Sequence, residues 1–485
     1  MKNSRFIKTD ITTTLVIVIS VFLLVFDVVR IFNVGITHDE AFTYNYYLSG
    51  TFNDIWHSWI PSANNHLLNS VLTKTITGVF HNSDAFHLRL TNLLALVVYM
   101  VYSYLLLKAL FKNNNWAFIG FVLLNFNPYL FDFWGLCRGY GLSIAMMMVS
   151  MYHLVRFSSG SFKHLVIAAV FAILAVYANF VLLNYFLALL FAALVLTVRK
   201  KESIIKTLGL SVLSSGILYY LIADHIKILR DRDQLYYGGD SGVVSDTLST
   251  LVCNSFYMDD ASLVSAISYT IAAVFLAIGV YWLLQMQKKK SGSITGFILW
   301  MAVFIPIMSV EMQHLVLGNK YIIGRTALFL YPLFIIQLTY CLHHIRMNYS
   351  SSGSTVMLGM GILFVGSFKQ HVNTYKTKDW EYDRHNVWVM EHMLAGIADG
   401  EPARVKVSWE LIPSFIYYSN TKYKGRFYQI EKREENLYEG QQYDYLYLSS
   451  YYTEAEDVSQ FGGIFQLDTA FQDVPNYLYK QVADQ

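Results

Sequence analysis

This chain is short of charge. Asp, Glu, Lys and Arg make up 14% of its 485 residues, against about 25% in an ordinary soluble protein, while hydrophobic residues reach 55%. That balance excludes a chain surrounded by water on all sides. Cysteine is far scarcer still: Cys137, Cys253 and Cys341 have no metal-type spacing and, being three, cannot all pair with one another. A broad basic patch is missing as well. The net charge of +2 comes from small groups of Lys and Arg at the ends of apolar segments, so no nucleic-acid partner is expected. No internal repeat is evident, and the polar carboxy-terminal part has neither a Gly-rich phosphate loop nor a metal-ligand cluster.

What is present is a succession of apolar runs of roughly twenty residues, the length that crosses a hydrocarbon core of about 30 Å. The first, Ile11 to Phe32, follows Lys2, Arg5 and Lys8 and superficially resembles a secretory signal. It is too long, carries Asp27 and Arg30 near its far end, and lacks a small-residue cleavage pattern, so it is expected to be a retained helix. A polar, aromatic-rich stretch from Val34 to Arg89 follows, with room for short interfacial helices. Further spans are expected near Leu90–Leu110, Trp116–Phe133, Tyr140–Val155, Leu165–Asn179, Leu182–Val198 and Thr207–Ile222. After a polar loop, 223–262, come Leu263–Leu284, Thr295–Val310, Ile322–Cys341 and Thr355–Phe368. The predicted architecture is mostly α, a polytopic membrane domain over 1–369 with about eleven spans, followed by a small α/β domain over 370–485. In that domain Arg404–Trp409 and Tyr443–Ser449 pattern as strands and His385–Ala398 as a helix.

The short loops carry Lys108 and Lys112, Arg156 and Lys163, Arg199 to Lys201, Lys288 to Lys290, and Arg346. With the amino terminus cytoplasmic, all of these fall on the cytoplasmic side, as the positive-inside bias requires. The Val34–Arg89 and 223–262 loops and the carboxy-terminal domain are then extracytoplasmic.

The sharpest local signal is Thr37-His38-Asp39-Glu40, just past the outer end of the first helix. Adjacent carboxylates in a loop are usually a solvated helix cap. At a membrane surface they become useful when one must take a proton from an attacking hydroxyl. The same loop continues with Asn64-Asn65-His66-Leu67-Leu68-Asn69, then Ser83-Asp84 and Arg89 leading into the second span. This combination resembles the GT-C glycosyltransferases, and within them the branch of protein O-mannosyltransferases and lipid A aminoarabinose transferases. Leu67 stands where that branch commonly has proline. The likeness extends over roughly 1–370 by topology and over the first outer loop by motif.

The resemblance implies a transferase that takes a sugar from a polyprenyl-phosphate carrier on the outer face of a bacterial cytoplasmic membrane and hands it to a protein, lipid or glycan acceptor. It also implies that Asp39, with Glu40 beside it, is the base. A departing lipid phosphate needs fixed cations, and Arg138 and Arg325 lie at outer helix ends, against the positive-inside bias. Arginine grips phosphate through two parallel hydrogen bonds, which ranks Lys320 third. For either arginine the plain alternative is snorkelling to outer headgroups. His38, Tyr44, Asn65, His66 and Tyr321 are the expected substrate-loop residues. His38 and His66 with the two carboxylates raise the question of a divalent ion; the favoured expectation is no cofactor and no metal. A transporter or flippase of lipid-linked sugars is the alternative class, against which stand the missing repeat and the placement of charge at helix ends.

Overall fold

The computed structural model describes residues 10–58, 60–428, 442–452 and 457–482. Lys2, Arg5 and Lys8 lie outside the described residues. The chain separates into two compact units. One comprises 1–28, 61–69 and 91–372; the other comprises 29–60, 70–90 and 373–485.

The first unit is helical. Among the described residues, six helices of the chain are long and apolar enough to cross a membrane: Ile11–Asn33, Ala85–Leu110, Phe180–Lys200, Ile204–Asp231, Ala261–Gln287 and Ser293–Leu317. The protein is a multi-pass membrane protein, and these six helices fall on six of the about eleven expected spans. The expected span Trp116–Phe133 is broken, because a helix Asn114–Asn125 stops before Asn127. Asn127 accepts the Leu130 N–H through its side chain and Pro128 opens a new five-residue turn, Pro128–Asp132. Proline has no N–H to continue the first helix and its fixed φ suits the first position of the next. Phe162–Ala178 is apolar but only 17 residues long. Gly139–Phe157, Leu330–Asn348 and Ser352–His371 form as helices near three other expected spans. Leu330–Asn348 begins eight residues later than the expected Ile322, since Gly324–Thr326 forms a separate 3-10 turn ahead of it.

Small residues set close helix contacts here. A Cβ on Gly296 would meet the Trp282 ring at 2.3 Å, and one on Gly279 would meet the Trp300 ring at 2.5 Å. Each of two neighbouring helices thus receives the other's indole where it has no side chain, a packing that substitutes for hydrophobic driving force in lipid. The Trp300 indole N–H is satisfied by the Phe275 carbonyl at 2.9 Å.

The second unit joins the early outer loop to the carboxy-terminal part. Short helices His38–Thr43 and Phe52–Trp56 occupy the stretch after Val34, as the aromatic-rich loop suggested. Lys74 donates to the carbonyls of Leu48 and Gly50, and the Tyr47 hydroxyl donates to the Ile60 carbonyl, closing the loop on itself. The carboxy-terminal part is α/β. Strands β1 (Val405–Val407) and β2 (Tyr445–Ser449) pair in parallel, within the two expected strand segments. Two more strands, β3 (Ile464–Ala470) and β4 (Asn476–Val482), complete a sheet of order β1-β2-β4-β3. The expected helix is present as Asn386–Ala395, and a further one spans Ile412–Thr421.

Candidate active site

The acid-bearing helix is defined by its own sequence. Thr37 has extended backbone and accepts the Glu40 N–H, while the Glu40 carboxylate accepts the Thr37 N–H at 3.1 Å. This reciprocal capping box fixes where the helix begins. Glu40 is therefore occupied, and more heavily by Arg89. The Arg89 Nε donates to Oε1 at 2.8 Å and its Nη2 to Oε2 at 2.7 Å, in a pair with both side chains fully buried. The remaining donors of Arg89 go to the carbonyls of Ile31, Val34 and Gly35. All five N–H groups of the guanidinium are thus used. Arg89 closes the end of the first helix, the turn after it and the acid helix in one step, and Glu40 is the counter-ion that makes this affordable in a dry site. The geometry gives Glu40 a holding role, leaving Asp39 as the half-buried acid of the pair.

Asp39 is positioned through its backbone: its carbonyl accepts the Thr43 hydroxyl at 2.9 Å. The preceding residue is anchored twice. The His38 N–H donates to Asp383 Oδ2 at 2.6 Å, and the His38 Nδ1 lies 2.7 Å from the Glu410 carbonyl. The His38 ring is thus tied to backbone. Tyr44 sets its ring edge-on to Tyr417 at 5.1 Å.

Asp383, whose carboxylate accepts the His38 N–H beside Asp39, is the buried acid that motif reasoning misses. Burial pushes its carboxyl up to about 8; the neighbouring Asp39 acts in the same direction, while bonds from Ser414, the His38 N–H and Asn386 act against it. No spacing pattern links residues 39 and 383. The faint signal available is a lone Asp in Tyr382-Asp383-Arg384 just ahead of a helical pattern.

In the first unit the expected phosphate ligands Arg138 and Arg325 are drawn to one side chain, Tyr140. The Arg138 guanidinium lies 5.7 Å from the Tyr140 ring centre, and the Arg325 Nε donates to the Tyr140 hydroxyl at 3.3 Å. His66 packs edge-on against the same ring at 4.7 Å, its Nδ1 3.1 Å from the Ala178 carbonyl. Arg138 is the extended residue just before the helix Gly139–Phe157, 2% exposed, and it also donates to the Asn64 carbonyl. Asn65 is buried next to it in sequence to His66 and donates its N–H to the Ser62 carbonyl. Arg325, half-buried on its 3-10 turn, also lies 4.5 Å from the Tyr237 ring centre. Two guanidinium groups are thus brought to one phenol, and an aromatic face beside a guanidinium attracts it through the ring quadrupole.

Lys320 and Tyr321 go elsewhere. Lys320 pairs with Asp240, and the buried Tyr321 donates to Glu311 at 3.3 Å and stacks on His314. Their carboxylate partners account for them as clamps on the segment that precedes Arg325. Among the described residues no three His, Cys, Asp or Glu side chains gather as a metal site.

The close approach in this corner depends on Gly139. A Cβ there would lie 2.1 Å from the Ala178 carbonyl oxygen and 2.6 Å from the His66 ring. Gly139→Ala is expected to lower the unfolding free energy by about 1–3 kcal/mol through overpacking, read as a lower melting temperature in detergent, and to displace His66 and Arg138 together.

The structure is similar along nearly its whole length to that of ArnT from Cupriavidus metallidurans bound to undecaprenyl phosphate, with a TM-score of 0.50, 9% identity, and coverage of 97% of this chain and 98% of that one. The chain shares the overall fold of that ArnT. The same ArnT in its apo state aligns over 84% of each chain at a TM-score of 0.48 and 8% identity. The oligosaccharyltransferase of Archaeoglobus fulgidus, tethered with an acceptor peptide, aligns with 84% of this chain and 63% of its own at 0.42 and 12% identity. No protein-family model and no curated protein matches the sequence. The likeness of fold that the first loop led one to expect thus extends over nearly the whole chain.

Proposed function

We propose that the protein is a membrane glycosyltransferase that moves a sugar from a polyprenyl-phosphate carrier to a hydroxyl acceptor. The observation that carries this reading is the pair Arg138 and Arg325 gathered on Tyr140, within a fold similar to that of an ArnT bound to undecaprenyl phosphate. In the reaction, the acceptor oxygen forms a bond to the anomeric carbon while the bond from that carbon to the phosphate oxygen breaks. The hydroxyl proton passes to the Asp39 carboxylate. The electron pair of the broken bond leaves with the polyprenyl phosphate, whose added charge is held by Arg138 and Arg325. Displacement from the face opposite the phosphate inverts the anomeric centre. The placement of Lys and Arg in the short loops supports work on the outer face of a bacterial cytoplasmic membrane, with the amino terminus inside.

The test is release of polyprenyl phosphate from a panel of synthetic polyprenyl-phosphate pentoses and hexoses, with the full chain in detergent and lipid, peptide and glycan acceptors offered in turn. Release with formation of a glycosylated acceptor supports the reading; a flippase gives neither product. Arg138→Gln and Arg325→Gln should each cost about 10–100-fold in turnover, the loss of one or two hydrogen bonds to a charged group. Arg325→Lys recovers only part of this, since a point charge does not reproduce the fork.

A further inference from the structure

The buried carboxyl of Asp383 sits at the head of a continuous polar chain inside the second unit. Its Oδ2 takes the His38 N–H at 2.6 Å. Its Oδ1 takes the Ser414 hydroxyl at 2.6 Å and the Asn386 amide at 2.8 Å. The Tyr447 hydroxyl, from the centre of β2, donates to the Asn386 Oδ1 at 3.2 Å, and the Asn476 amide, from β4, donates to that hydroxyl at 3.1 Å and to the Tyr382 carbonyl at 2.8 Å. Asn386, Ser414 and Asn476 are wholly buried. The chain therefore runs from the middle of the sheet to the residue next to Asp39. Two parallel ties reinforce it: the Ile36 N–H donates to the Tyr418 hydroxyl at 2.8 Å, and the Asn45 amide to the Pro413 carbonyl at 3.0 Å.

We propose that Asp383 is a positioning residue for Asp39: it holds the His38 amide, and with it the first turn of the acid helix, at a fixed place set by the core of the carboxy-terminal sheet. This rests on the proposed role of Asp39 as base. It gives the carboxy-terminal domain a task, the alignment of an acid more than three hundred residues earlier in the chain. The network serves either protonation state. With the carboxyl ionised, the Ser414 hydroxyl donates to it. With the carboxyl protonated, its own O–H can donate to Ser414, whose hydroxyl then turns to the Leu411 carbonyl, 3.1 Å away. The His38 tie persists in both. The titratable groups facing Asp383 are Asp39, Tyr418 and Tyr447; both tyrosines are raised by burial and stay neutral across the working range.

The test measures donor turnover for the full-length Asp383→Ala, Asp383→Asn and Ser414→Ala proteins, using whichever synthetic polyprenyl-phosphate sugar the wild type consumes. Asp383→Ala should lose about 100-fold in kcat with the donor KM unchanged, the size of effect that misplacing a reacting group by about 1 Å produces. Asp383→Asn, whose amide can keep the His38 and Ser414 bonds, should recover most of it, with Ser414→Ala between the two. A structural readout accompanies this. The wild-type carboxyl, about 8 when folded against 3.8 in the reference state, favours the fold fully below about pH 4 and progressively less as pH rises through 8. The melting temperature should therefore fall over that window, and Asp383→Asn should flatten the fall. A kcat for Asp383→Ala within threefold of wild type overturns the inference, as does a loss that Asp383→Asn fails to recover. Asp39→Asn serves as the control. If it is inactive while Asp383→Ala is normal, only the positioning role fails; if it is active, the base assignment fails and the positioning role with it.

Discussion

An Asp39→Asn protein is expected to release polyprenyl phosphate about 10²–10⁴-fold more slowly than wild type, the range that a positioned proton acceptor contributes, with an unchanged yield of folded, monodisperse material. The two halves of this expectation come from different features. The helix start depends on Thr37 and Glu40, whose side chains make the capping box, and on Arg89, which grips Glu40. Asp39 contributes its backbone carbonyl to Thr43, and asparagine keeps that. The substitution removes the basic oxygen while preserving size and local geometry. Turnover measured beside size-exclusion profiles and melting curves separates the two effects. Activity within tenfold of wild type would remove Asp39 from the role of base.

Arg89→Met is expected to cost about 3–5 kcal/mol of stability, the range found when one partner of a buried ion pair is deleted. It strands the Glu40 carboxylate in a site where both partners have 0% side-chain exposure, and it leaves the Ile31, Val34 and Gly35 carbonyls without the guanidinium that now serves them. Arg89→Lys should fall in between, because an ammonium has three donors where five are used. Adding Glu40→Leu to Arg89→Met should restore part of the loss by removing the stranded charge, though not the part due to the three carbonyls. Melting temperatures of the four proteins in one detergent check this. A single variant as stable as wild type would show that the pair contributes nothing.

The local part of the candidate site was legible in the sequence because it is written in short windows. Thr37-His38-Asp39-Glu40 carries its own capping pattern, which the structure realises as a capping box. Arg138 and Arg325 stood out as cations on the side that the expected topology makes extracytoplasmic, where cations are rare. Their common partner, Tyr140, was not legible, since one tyrosine among 36 carries no mark of what its two faces touch. Asp383 was hidden for a related reason: a buried carboxyl is defined by neighbours from Ser414, Asn386 and the His38 backbone, and no short window contains them. The division of labour between Asp39 and Glu40 required Arg89 to be placed in space. Apolar runs do not show where a helix breaks, as at Asn127-Pro128, where composition looks unbroken and the hydrogen-bond ladder ends.

The unit that carries Asp39 is written in three separate stretches, 29–60, 70–90 and 373–485. A ribosome adding about 5–20 residues each second needs on the order of 15–60 s to travel from the second stretch to the third. Throughout that interval the nascent chain already has its acid helix outside the tunnel, yet lacks Asp383, Glu410 and Tyr418 to seat it. On the proposed role of Asp383, the seating of Asp39 is therefore a property of the finished polypeptide, and a chain cut short anywhere before residue 383 would make its acid helix without the partners that hold the His38 and Ile36 amides.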